Sequence, residues 1–363
     1  MPLAIHRRRS PLPRFRRALK TGVLRVGFLG GSITDQKTGR RWPEPVLAWL
    51  GQRYPSLRLV VENAAIGATG SDLAAFRAGR DIVARDCDLV FVEYAVNDQG
   101  TPPERRARAR EGVLRQLLAE ARDVVLVYTF MPEHLADLRD GRDPASVADF
   151  ERLADHYSLP AVYVGLHAWR EVERGLLRWE EWLPDNLHPE ERGSLSYAQA
   201  VIAHLETSLA LPPASATTPA APIPAPLDAR NWENVSMIPY AEIARTGPWS
   251  ERRWGQLNWI DQVLHTTGPG ATLRTRFTGH TLVAATDFGS LSSELRWRID
   301  GGEWSVTARA RPAWCGTSGW FRVDVLAEDL ADGEHTLELE TALGVLENVT
   351  GCTTRIAFLG VVR

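Results

Sequence analysis

The hydrophobic period of the chain changes once, near residue 211, and this change limits the possible folds more than any other feature. From Leu24 to about Ala210 short apolar runs alternate with segments of helical spacing. LRVGFLG (24–30) is continuously apolar, as strands buried on both faces are. WPEPVLAWLGQRYP (42–55) then has helical spacing, with Pro43 and Pro45 acceptable only in a first turn. LRLVVENAA (57–65) predicts a second strand, and SDLAAFRAGRDIVARD (71–86) a helix opened by Ser71 and Asp72. DLVFVEYAV (88–96), DVVLVYTF (123–130) and PAVYVG (160–165) predict three more strands. Helices are expected over 103–122, over ASVADFERLADHY (145–157) and from about Glu190 to Leu209. Alternating β and α elements imply an α/β domain, a parallel sheet with helices on both faces.

LPPASATTPAAPIPAPL (211–227) follows, a semi-rigid linker or surface strap by composition. Beyond it LRTRFTGHTLVAATDF, ELRWRIDGGEW, GWFRVDVLAEDL, GEHTLELETAL and RIAFLGVVR alternate with period two and are divided by turns such as IDGGEW and ADGEH. That pattern predicts an antiparallel β-sandwich over 228–363. The expected organisation is therefore a basic arm (1–22), an α/β domain (23–210), a linker (211–227) and a sandwich.

A net charge of −3 gives no reason to expect nucleic acid or a membrane surface as partner. No apolar run reaches the length of about 18 residues that a spanning helix needs. The first twenty residues carry seven Arg or Lys and no acid, which reads as a frayed, solvated terminus. They lack the apolar stretch of a signal peptide. Cys87, Cys315 and Cys352 have no CxxC spacing, so no metal site is expected. Cys87 reads as a buried thiol. Cys315 and Cys352 could pair, but the cytoplasmic, reducing address favoured here leaves them free. Self-association into a homo-oligomer stays open.

In a doubly wound sheet, ligands bind outside the carboxyl ends of the strands. Ser32 follows the first strand in GFLGGSITDQ (27–36), Gly67 follows the second and Asn97 the third. Asp185 and His188 lie in WLPDNLHPEERG (182–193), before the last helix. Ser32 alone reads equally as a helix N-cap. Asp35 and Asp98 flank these positions, as loop caps or as acids within reach of a substrate.

GGSIT, NAAIG, YAVND and DNLH, in that order, resemble the SGNH or GDSL-type hydrolase family over about residues 23–210. The resemblance implies a flavodoxin-like three-layer αβα domain and a serine esterase with no metal and no organic cofactor. It makes Ser32 the nucleophile, His188 its base and Asp185 the group that fixes the imidazole. The backbone N–H groups of Ser32 and Gly67 and the Asn97 amide become the oxyanion hole. A helix opened by Ser32 adds a positive dipole end beside the developing charge. Two positions depart from the usual blocks: Gly31 stands where an acid precedes the serine, and Ala95 where many members have glycine. GGSIT-type blocks occur in carbohydrate-active branches, so the implied substrate is a small-molecule or oligosaccharide ester, deacylated at an acetyl or other small acyl group.

The second half resembles the small jelly-roll module of some carbohydrate esterases. Its tryptophans read as core, except that WSERRWGQLNW (249–259), with Trp254 and Trp259, has the mixed character of a substrate-cleft wall. Three other readings stay open: acyl transfer to a sugar by the same triad, glycoside cleavage by carboxylates such as Asp35, Glu93 or Asp185, and glycan binding without catalysis.

Overall fold

This computed structural model describes residues 3–38, 41–212, 222–257, 259–307, 309–317, 319–343 and 351–363. The chain divides into two units, Met1–Glu233 and Asn234–Arg363. In the first, the elements begin β1 (His6–Arg7), α1 (Pro13–Thr21), β2 (Val23–Gly30), α2 (Pro43–Arg53), β3 (Arg58–Asn63), α3 (Ser71–Ala78) and β4 (Leu89–Glu93). They continue α4 (Pro103–Leu118), β5 (Asp123–Val127), α5 (Leu135–Arg139), α6 (Ala145–His156), β6 (Ala161–Val162), α7 (Val164–Glu173), α8 (Trp179–Trp182) and α9 (Glu191–Ala210).

Among the described residues the sheet order is β1-β6-β5-β4-β2-β3, with β1 antiparallel and the other five strands parallel. Leaving β1 aside, this is the flavodoxin-like order, and its winding reverses between β2 and β4. A crevice opens at such a reversal, at the carboxyl ends of the strands. Every residue of β4 and β5 is buried, which is why both segments read as unbroken apolar runs. Phe28 on β2 stacks on Phe91 of β4 at 5.3 Å, and Trp42 packs edge-on against both at 5.5 Å. Trp42 directly precedes α2, whose prolines occupy its first turn.

The basic arm is not frayed. β1 pairs with the sheet edge at β6, and arginines fasten it there. Arg7 makes a bidentate pair with Asp143 at 2.6 and 2.9 Å and also reaches Glu151. Arg9 bridges Glu151 and Asp155, and Arg14 pairs with Asp86 and Asp88. The acidic partners lie far away in sequence, so local composition shows only the basic half of each pair. α1 has no acid in its first turn; the Asp123 carboxylate accepts from Phe15 N–H at 2.7 Å instead.

Three other expectations change. The strand expected at 160–165 shrinks to β6, because Val164 already begins α7, a helix absent from the sequence reading. The helix expected over 71–86 is α-helical only to Ala78 and continues as a π-helical turn, Gly79–Val83. The first unit also extends past residue 228. Glu111 accepts from the N–H groups of Leu227 and Asp228, and Arg108 pairs with Asp228 at 2.7 Å. Buried Trp232 crosses α4 at Gly112, where a Cβ would lie 2.2 Å from the Trp232 carbonyl carbon. Of the expected linker, residues 213–221 lie outside the described residues.

The second unit is β7 (Val235–Met237), β8 (Ala244–Thr246), β9 (Ser250–Arg253), β10 (Gln262–Thr266), β11 (Thr272–Thr278), β12 (Thr281–Phe288), β13 (Glu294–Ile299), β14 (Ser305–Val306), β15 (Trp320–Ala327), β16 (Glu334–Ala342) and β17 (Thr354–Val362). Its two antiparallel sheets have the orders β15-β12-β17-β10-β9, with β7 on β17, and β14-β13-β16-β11-β8. Inward residues such as Leu273, Leu282, Leu295, Leu337, Leu339 and Leu359 are buried in one core, as period-two strands of a sandwich require. Trp259 is buried edge-on against Phe321, so it is core and not a stacking platform. Trp254 is half-buried beneath the Arg355 guanidinium, 4.5 Å above its ring. The three cysteines are free thiols. No helix among the described residues is long and apolar enough to cross a membrane.

Candidate active site

β2 ends at Gly30, and the chain turns at once: Thr34 and Asp35 N–H both donate to the Gly31 carbonyl at 3.0 Å. Ser32 sits half-buried on this turn, at the crevice between β2 and β4. No α-helix starts here. A 3-10 turn follows at Gln36–Thr38 and α2 begins only at Pro43. The helix cap and its dipole, expected at Ser32, are therefore absent, and the strand-to-turn geometry alone presents the hydroxyl.

Ser32 Oγ lies 2.8 Å from His188 Nε2, and His188 Nδ1 lies 2.6 Å from Asp185 Oδ2. Asp185 Oδ1 also accepts from the N–H groups of Leu187 at 2.9 Å and His188 at 2.7 Å. The carboxylate thus folds its own loop around itself and aims the ring. Asn186, between them, takes a left-handed φ of 66°, a conformation asparagine tolerates. Its Oδ1 accepts from Trp179 Nε1 on α8 at 2.9 Å. Burial pulls the Asp185 carboxyl upward, but those N–H groups and the imidazole outweigh it and bring it down to about 2. It stays a carboxylate throughout the neutral range.

Gly67 and Asn97 close on the same crevice. Ile66 N–H donates to the Gly30 carbonyl at 2.9 Å, and Asn63 Nδ2 to the Thr34 carbonyl at 2.9 Å. These bonds tie the Gly67 loop to the serine turn. Gly67 N–H itself is 3.3 Å from Asp35 Oδ2. The Asn97 amide lies directly against Gly31, where an added Cβ would come within 1.9 Å of Asn97 Oδ1. The departure at Gly31 is thereby explained: a side chain there and this placement of Asn97 exclude each other.

Asp98 is not at the crevice surface. It is 1% exposed, bonded to Arg110 Nε at 2.7 Å and to Ser71 N–H at 2.9 Å, so it anchors α3 and α4 and offers a substrate nothing. Sequence reasoning missed Arg41, whose Nη1 donates to the Pro189 carbonyl at 2.6 Å and so fastens the histidine loop to the segment after Ser32. No motif marks it.

Glu93, opposite Gly30 in register, is fully buried behind the serine turn. It accepts from Thr129 Oγ1 at 2.7 Å, Thr34 Oγ1 at 3.0 Å and, more loosely, Gly31 N–H at 3.4 Å. Trp42 Nε1 donates in turn to Thr34 Oγ1. Burial pushes the Glu93 carboxyl up to about 7 against those hydrogen bonds. Its proton is then held more tightly in the fold than in the unfolded chain, where the usual value is 4.5. Stability contributed by the protonated form is full below pH 4.5 and is lost as pH rises through about 7. Glu93→Gln should flatten this part of the pH dependence, measured by denaturant unfolding between pH 5 and 8; an unchanged slope would contradict the assignment.

A hydroxyl, an imidazole and a carboxylate in line at a sheet's winding reversal, with N–H donors alongside, define a serine-hydrolase arrangement on an α/β fold. Residues 28–194 match the model of the GDSL-like lipase/acylhydrolase family. The match lies within the first unit and spans both the serine turn and the histidine loop. No curated protein matches the chain. Among solved structures it is similar to a two-domain esterase active on acetylated mannans, at 20% identity and a TM-score of 0.82, over 98% of this chain and 96% of that one. A second match is a two-domain esterase active on acetylated mannans, co-crystallised with mannopentaose, at 21% identity, a TM-score of 0.82 and the same coverage. At this identity the likeness establishes the fold of both units.

Proposed function

We propose that the protein is a serine esterase that removes acetyl or another small acyl group from a carbohydrate. The observation that carries the reading is the unbroken relay from Ser32 Oγ through His188 to Asp185, at 2.8 and 2.6 Å. His188 Nε2 takes the Ser32 proton as Oγ attacks the ester carbonyl, and Asp185 holds the Nδ1–H tautomer and stabilises the imidazolium. The oxyanion is received by the N–H groups of Ser32 and Gly67 and by the Asn97 amide. His188 then gives its proton to the departing sugar hydroxyl, leaving an acyl-Ser32 ester. Water, activated by the same imidazole, attacks that ester, and the carboxylate product leaves with Ser32 restored.

The side chains of His188 and Asp185 are 30% and 55% exposed, so water has access to the acyl-enzyme. Glycoside cleavage is disfavoured because Glu93 is fully buried and Asp185 is committed to His188. The carbohydrate substrate is supported by the GGSIT block and by the full-length likeness to an esterase active on acetylated mannans. The test is acetate release from acetylated manno- and xylo-oligosaccharides beside aryl acetates. Release from sugar acetates with the glycan chain intact is expected. Shortened chains with intact esters would give the glycosidase reading the field.

A further inference from the structure

The carboxylate of Asp35 occupies one of the donors that the reaction needs. Its Oδ1 accepts from Lys37 N–H at 2.9 Å, a normal length for a bond to a charged oxygen. Its Oδ2 accepts from Gly67 N–H at 3.3 Å, well beyond that length. Asp35 is thus held firmly on its own turn and loosely on the Gly67 loop, and its side chain is part-exposed at the crevice. An oxyanion formed at Ser32 would have to share the Gly67 donor with a full negative charge.

We propose that Asp35 withholds the Gly67 donor in the free enzyme and that a substrate hydroxyl releases it, which makes Asp35 a specificity-determining residue. This rests on the carbohydrate reading above. A sugar ester carries free hydroxyls beside the acylated carbon, and an aryl acetate carries none. A hydroxyl that donates to Asp35 Oδ2 replaces the loose Gly67 bond and frees that N–H as the acyl carbonyl arrives. Binding energy from a group that does not react is thereby spent on transition-state stabilisation, and the gain appears in kcat. A substrate without the hydroxyl binds but meets an incomplete oxyanion hole.

The alternative is a plain brace, in which Asp35 ties together the two loops that build the site. The two roles have opposite signs for small esters. Asp35→Asn and Asp35→Ala are assayed on 4-nitrophenyl acetate, on a monoacetylated oligosaccharide and on its peracetylated form, which has no free hydroxyl. The rate of Ser32 labelling by a fluorophosphonate and a thermal melt are followed in parallel. Withholding predicts that kcat for the aryl acetate rises about tenfold in the variants, part of the value of one oxyanion donor. It predicts faster fluorophosphonate labelling, a fall of about tenfold in kcat/KM on the monoacetylated sugar, carried by KM because the hydroxyl loses its charged partner, and loss of the wild-type preference for that sugar over its peracetylated form. A parallel fall on all three esters with unchanged melting would establish the brace, and unchanged kinetics would remove Asp35 from specificity altogether; both overturn the proposal while wild-type sugar deacetylation stands. Wild-type inactivity on every acetylated sugar, with aryl acetates still cleaved, fails the carbohydrate reading instead and takes the hydroxyl trigger with it.

Discussion

Replacing Ser32 by alanine is expected to lower kcat for acetate release by about 10⁵- to 10⁶-fold, the scale on which serine-hydrolase nucleophiles act. The substitution removes one oxygen from a half-buried turn and leaves the His188–Asp185 pair in place, so folding and KM should barely change. Any residual rate above water would come from the oxyanion donors and from binding alone. Mass spectrometry after a rapid quench should show an acyl adduct on residue 32 in the wild type and none in the variant. A variant that keeps activity within tenfold of wild type would rule out the acyl-serine path.

The second large effect is expected at Asp185. Asp185→Asn should cost about 10⁴-fold in kcat at neutral pH, because an amide both fails to stabilise the imidazolium and allows the wrong ring tautomer. The carboxylate does two things here. Oδ2 orients the ring through Nδ1, and Oδ1 shapes the loop through the N–H groups of Leu187 and His188. Asparagine can retain the second role through its own Oδ1, so the loss should lie in kcat with KM nearly unchanged. Since the hydrogen bonds hold the native carboxyl down to about 2, ionisation of Asp185 contributes at every pH above that value and is lost only as pH falls through it. A loss of less than tenfold would mean that His188 works without the carboxylate.

The α/β architecture was legible because buried parallel strands read as short continuous apolar runs, and LRVGFLG, DLVFVEYAV and DVVLVYTF are too short for buried helices and alternate with helical segments. Ser32, Gly67, Asn97, Asp185 and His188 were legible as short blocks, each just past a strand or just before a helix. What stayed hidden depends on partners far away in sequence. Arg7, Arg9 and Arg14 read as solvated until Asp143, Glu151, Asp155, Asp86 and Asp88 are brought beside them. Asp98 looked like an acid at the site, but Arg110 takes it into the interior. Glu93 lay within an apolar run, and only the register with Gly30 shows that it sits behind the serine turn. α7 was lost because PAVYVG continues without a break into helix, and a two-residue strand leaves too few positions to show a period. Trp259 misled because exposed Glu251, Arg252, Arg253 and Gln256 share its segment while its own ring is buried against Phe321.

The hydrogen bond between Ser32 and His188 joins residues 156 positions apart. Such a contact can form only after most of the first unit has been synthesised and has collapsed, since its loop-closure cost must be met before it returns anything. The nucleophile therefore exists as an ordinary, unreactive serine in the nascent chain and in any partly folded intermediate. His188 lies only three residues before α9, so the pair needs nearly the whole of the first unit's chain. A copy in which the histidine loop is missing or unfolded holds Ser32 without its imidazole partner.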